Sequence, residues 1–148
     1  MDEITNEIVA ALQERLGTRV HEFLLPPPSF TLMQGTFVDY DVQDGRLSAR
    51  FPVLEQYLNP YGAMQGGLIA AAVDNTLGPL SMLVAPPNVT RRLEITYSRP
   101  ATLDMDYITV SARLASRDGR WLEFRADVRD SGGTRLARAK ARHWILEE

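Results

Sequence analysis

Asn59-Pro-Tyr-Gly-Ala-Met-Gln65-Gly66-Gly67-Leu-Ile-Ala-Ala-Ala-Val-Asp74-Asn-Thr-Leu-Gly78 is the stretch on which the fold turns. A glycine pair opens a run that is apolar or small all round except for one carboxylate, Asp74. A helix with no polar face is a buried helix. Aspartate is almost never fully buried without a partner or a task. The stretch therefore predicts a long central helix starting at Gly66-Gly67, with a carboxylate that needs explaining.

Outward from that helix the chain reads as strands. Thr36 to Val42 and Arg46 to Val53 flank Asp44-Gly45, a pair suited to a tight hairpin turn. After the helix, Val89 to Arg99 sets Leu93, Ile95 and Tyr97 on one face and Arg92, Glu94 and Thr96 on the other. Tyr107 to Leu114 and Leu122 to Arg129 alternate in the same way about a turn at Asp118-Gly119. Ser131-Gly132-Gly133 then leads into a last strand, Arg135 to Ile145, whose alanine face of Ala137, Ala139 and Ala141 leaves room for the helix. At the other end of the chain, residues 3–17 place Ile4, Ile8, Ala11, Leu12 and Leu16 at helical spacing before Gly17. Pro26-Pro27-Pro28 predicts an extended connection from this helix to the first strand. The order is helix, two strands, buried helix, four strands, which packs most economically as an antiparallel sheet curled round one helix, an α+β architecture.

Composition narrows the chemistry. With 148 residues, 45% of them hydrophobic, the chain is expected to form one domain, residues 1–30 being an N-terminal helix and proline-rich connection and 36–146 the core. It has no cysteine, so disulfides, thiolate metal sites and cysteine nucleophiles are excluded, and no metal site is expected. The acidic start and the absence of an apolar signal core predict a cytoplasmic protein. Asp74, Asn75, Gly78 and Pro79 interrupt the longest apolar stretch and argue against a membrane span. A net charge of -3 and a pI near 5.4 argue against a nucleic-acid partner.

The glycine pair and Asp74 are the candidate site. The first turn of a helix exposes amides with no internal acceptor, at the positive end of the helix dipole, and these hold oxyanions. Gly-Gly before a helix also fits a simple tight turn, and Asp74 also fits a structural hydrogen bond or ion pair. On one helix Gly66 and Asp74 lie about 12 Å apart, too far to act on one carbonyl. A site using both therefore needs two antiparallel copies of the helix across a two-fold axis, and a homodimer is expected. The two histidines, His21 and His143, stand alone in sequence and read as surface or sheet-face residues.

Asn59-x-x-Gly62-x-x-Gln65-Gly66-Gly67, then Asp74, Val89-Thr90 and Tyr97-x-Arg99-Pro100-Ala101, resembles the hotdog-fold acyl-CoA thioesterases of the phenylacetate-pathway (PaaI-like) type over roughly residues 36–146. The resemblance implies a six-stranded antiparallel sheet round a central helix, assembly into dimers and often tetramers, and hydrolysis of coenzyme A thioesters. It implies no separate cofactor, coenzyme A being part of the substrate. By position, Asp74 matches the catalytic carboxylate and Gly66 the residue whose backbone N–H polarises the thioester carbonyl from the opposite subunit. Asn59 matches a polar position near the attacking group. Gln65 departs from the histidine usual before the glycines, and glutamine cannot take a proton near neutral pH. Gly67, Tyr61 and Met64, with Met82, are candidates to meet the acyl group, and Arg91, Arg92 and Arg99 to meet the phosphates of coenzyme A. An acyl-CoA or fatty-acyl binding protein that kept the fold without the chemistry is the alternative that Gln65 leaves open.

Overall fold

The computed structural model describes residues 2–147. Helix α1 (Glu3–Leu16) is capped by the Asp2 carboxylate, which accepts from the Thr5 amide, and ends at Gly17 with φ 55°. The chain then passes through a 3-10 turn (Gly17–Glu22) and a short helix α2 (Pro28–Leu32) into β1 (Thr36–Asp41) and β2 (Arg46–Pro52). Helix α3 (Gly66–Val84) is followed by β3 (Asn88–Tyr97), β4 (Tyr107–Asp118), β5 (Trp121–Arg129) and β6 (Arg135–Ile145). All strands pair antiparallel in one sheet of order β1-β2-β4-β5-β6-β3. This is the hotdog architecture, a sheet curled round a central helix with an extra helix at the N-terminus.

Two details differ from the sequence reading. The triple proline does not run straight into a strand, because Pro28 occupies the first helical position of α2, where its missing N–H costs nothing. The alanine face of β6 is buried as expected, yet α3 lies mainly against β4 and β2. Leu77, Leu80 and Leu83 of α3 are fully buried in the core.

The two edges of the sheet are treated differently. Strand β1 is covered by α1, where the Thr5 hydroxyl donates to Asp2 and accepts from the Phe37 amide at 3.1 Å. Among the described residues strand β3 has no neighbour on its outer side, and it carries exposed Val89 and Tyr97 near its two ends. By length and composition α3, with mean hydropathy 1.4, is able to cross a membrane, but half of it is buried inside this fold.

Candidate active site

Asp74 is exposed in the single chain, contrary to the all-round burial that its apolar neighbours suggested. The sheet wraps only one side of α3, burying Ile69, Ala72, Val73, Thr76, Leu77 and Leu80. Gly67, Ala71, Asp74, Gly78 and Met82 lie along the other side, which the sheet leaves open.

Behind Asp74 runs a line of polar side chains. The Thr90 hydroxyl donates to Asp74 Oδ1 at 3.1 Å and lies 3.3 Å from His143 Nε2. The other ring nitrogen, Nδ1, is 2.7 Å from Asn88 Oδ1. His143 is 1% exposed, packed edge-on against the Phe124 ring at 4.9 Å. Burial pushes its pKa below the usual imidazole value, and the charge of Asp74 pushes partly back.

Strand irregularity builds this line. The β3–β6 register slips between Thr90 and Arg92, so Thr90 faces His143 while Arg92 faces Arg142. Strict alternation would set Thr90 with Arg92, Glu94 and Thr96 on the outer face; a bulge at Arg91 turns it inward toward Asp74. Thr90, His143 and Asn88 are thus site neighbours that periodicity missed.

At the other end of α3, the amides of Leu68 and Ile69 both donate to the Gln65 carbonyl, at 2.9 and 3.1 Å. That carbonyl shares a peptide group with the Gly66 N–H, so the two bonds strengthen the Gly66 amide as a donor. The Gly66 N–H has no acceptor among the described residues. The Tyr97 hydroxyl donates to the Gly66 carbonyl at 2.6 Å, tying the helix start to the end of β3. Asn59 Oδ1 accepts from the amides of Tyr61 and Ala63 at 2.9 and 3.1 Å, which folds the loop leading to the glycines. The Gln65 side chain is exposed and makes no capping bond.

The remaining candidates scatter. Met64 is 3% exposed, a core residue whose amide donates to the Ala101 carbonyl at 2.8 Å, whereas Tyr61 is 94% exposed on the loop. Met82 is half-buried on α3. Gly67 has open space where a Cβ would stand. Arg91, Arg92 and Arg99 are exposed on or just after β3, and Arg92 pairs with Glu94 at 2.8 Å. A depression of about 840 Å³ lies elsewhere, on the outer sheet face among Arg113, Arg125, Arg138 and Lys140, and so is not the site of Asp74.

The sequence model of the thioesterase superfamily matches residues 61–137, which span the glycine turn, α3 and β3 to β5. The chain belongs to the thioesterase superfamily. Acyl-coenzyme A thioesterase 13 of Homo sapiens is 29% identical over 117 residues, covering 78% of this chain and 82% of the human protein. Among solved structures, a phenylacetic acid degradation-related protein of Ralstonia eutropha JMP134 superposes with a TM-score of 0.77 at 22% identity, over 91% of this chain and 98% of its own. A hypothetical thioesterase protein of Streptococcus pneumoniae TIGR4, solved with coenzyme A, superposes with a TM-score of 0.71 at 18% identity, over 77% of this chain and 87% of its own. This superfamily member is therefore a thioester hydrolase, and Asp74 and the glycine turn fall inside its matched region.

Proposed function

We propose that this thioester hydrolase acts on acyl- or aryl-coenzyme A, releasing the free acid and coenzyme A, in a site shared by two copies of the chain. Asp74 of one copy acts as general base or nucleophile, and the Gly66 N–H of the other polarises the thioester carbonyl. The observation that carries this reading is Asp74 on the open side of α3, held by the Thr90 hydroxyl at 3.1 Å. The S. pneumoniae thioesterase supports it. Two solved variants of that protein change an aspartate and a threonine sixteen positions apart, the separation of Asp74 and Thr90 here.

As the carbonyl carbon becomes tetrahedral, its oxygen gains charge that a fixed N–H stabilises without reorganising. The Gly66 amide is such a donor, at a helix start whose dipole has the right sign. Asp74 takes the proton of the attacking water and returns it to the departing thiolate, or it attacks directly, the thiolate leaves, and water then cleaves the resulting acyl–aspartyl anhydride to the free acid. Asn59 shapes the loop that holds the glycine turn, and Gln65 supplies hydrogen bonding without proton transfer. Arg91, Arg92 and Arg99, near the same edge, suit the phosphates of the coenzyme. No cofactor beyond the coenzyme A of the substrate is called for, and the cytoplasm is the compartment we assign.

The test is thioester hydrolysis across short, medium and aromatic acyl-CoAs. Asp74→Ala should lower kcat by about 10²- to 10⁴-fold, the usual worth of a positioned base. Equal rates for wild type and variant would remove Asp74 from the chemistry. Tight acyl-CoA binding by wild type with no turnover of any substrate would point instead to the binding protein that the loss of histidine at position 65 suggested.

A further inference from the structure

Asn88 Nδ2 lies 2.9 Å from the Pro86 carbonyl and 3.4 Å from that of Ser81, both of which only accept. The Asn88 atom facing the imidazole is therefore Oδ1, also an acceptor, so His143 Nδ1 carries a hydrogen and donates. In the neutral ring Nε2 is then a bare lone pair. It faces the Thr90 oxygen, whose single proton is already given to Asp74. Two acceptors thus flank one hydroxyl proton, and one further proton, on Nε2, would complete every bond in the line.

From this geometry we infer that His143 is a proton-holding residue for the hydrolysis, reached from Asp74 through the Thr90 hydroxyl, and stands in for the imidazole that Gln65 lacks. The inference rests on Asp74 acting as general base. Water adds its oxygen to the thioester carbon while one of its O–H bonds breaks and Asp74 gains the proton. That proton passes to Thr90 Oγ1 as the hydroxyl's own proton passes to His143 Nε2, leaving Asp74 anionic, Thr90 neutral and the ring an imidazolium. When the C–S bond breaks, the same steps run backward and the departing thiolate receives the proton from Asp74. Nothing is oxidised and no other reactant is needed.

The surroundings suit a transient charge. From α3 the ring faces Asp74; from β3, Asn88 and Thr90; from β5, the apolar Leu122 and Phe124. The charged side chains nearest in sequence and register, Arg142 and Glu123, point to the outer face and pair with each other at 3.6 Å. Among the described residues the carboxylate is therefore the charge set to stabilise an imidazolium here, while burial favours the neutral form of the resting ring.

Two measurements test this. Nitrogen-15 NMR of the imidazoles, with His21→Gln to leave a single ring, should find the Nδ1–H tautomer in the neutral ring, and Asp74→Asn should lower its titration midpoint. His143→Gln can occupy both hydrogen-bonding positions but cannot take up a proton. It should fold with an unchanged circular dichroism spectrum and KM, lower kcat by about tenfold or more, and flatten the pH dependence of kcat on its acid limb. A resting Nε2–H tautomer would overturn the inference, as would a folded His143→Gln enzyme with the wild-type pH profile. If Asp74→Ala hydrolyses acyl-CoA normally, the functional reading and the relay fall together; if only His143→Gln behaves as wild type, the relay alone falls.

Discussion

A buried imidazole leaves a signature in stability as well as in rate. The pKa of His143 is held below its unfolded value of 6.5, chiefly by burial, so on acidification the unfolded chain takes up this proton before the native one does. Since stability rises with pH wherever the unfolded state binds more protons, the contribution of His143 is complete above about pH 6.5 and is lost as pH falls toward the native value. Carboxylates with ordinary values near 4 titrate below that window. Thermal melts of wild type should show Tm falling between pH 7 and 5.5, and His143→Gln should fall less over the same interval; parallel slopes would mean that the ring is not the titrating group. Thr90 gives a second test. Thr90→Val keeps the shape and removes the hydroxyl that holds Asp74, so kcat should fall with little change in KM, and Thr90→Ser should restore most of it. Asp74 and Gly66 stand out in the sequence as candidates because an isolated carboxylate in an oily helix and a glycine pair before it are chemical anomalies. The contact of Thr90 with Asp74 does not, because a one-residue bulge reverses the face that its strand's alternation assigns it, and His143, 53 residues away from it, bears no local mark of the contact.

Among the elements, the strands were the most readable, because the hairpin turns and the period of two agree wherever side chains pack on the inner face. The N-terminal connection was less so. Its role is to bring α2 over α3, where the Ser29 hydroxyl donates to Asn75 Oδ1 at 2.8 Å, and to seat Phe30 between Phe37 and Phe51 with ring centroids 4.4 and 5.6 Å away. Gly35 turns the chain against that cluster. A Cβ there would stand 2.7 Å from the Phe30 ring and 2.8 Å from that of Phe51, and both rings are fully buried. Gly35→Ala should therefore destabilise the fold by about 1–3 kcal/mol, the usual cost of overpacking a well-filled core. The measurement is the urea midpoint beside that of wild type. Equal midpoints would mean that the aromatic cluster can yield to an added methyl group without cost.

For the whole molecule the question is what covers the open side of α3 and the free edge of β3. An unpaired edge strand of ten residues is a template for pairing. Beside it, the small side chains of Gly67, Ala71 and Gly78 would let a second α3 approach closely, bringing its glycine turn to Asp74. One residue separates the needs of the fold from those of the assembly. At Gly78 a Cβ would meet nothing within 4 Å in the single chain, so Gly78→Gln is compatible with the monomer fold, and replacing glycine inside a helix lowers its backbone entropy cost by about 0.5–1 kcal/mol. In an antiparallel pair of helices the same side chain would stand where the partner's backbone has to come. Sedimentation velocity at micromolar concentration should find wild type as a dimer or larger and Gly78→Gln shifted toward monomer, with its circular dichroism retained and its hydrolysis reduced in step with the dimer fraction. A variant that stays dimeric and fully active would take the open side of α3 out of the interface, and with it a site that joins Asp74 of one copy to Gly66 of the other.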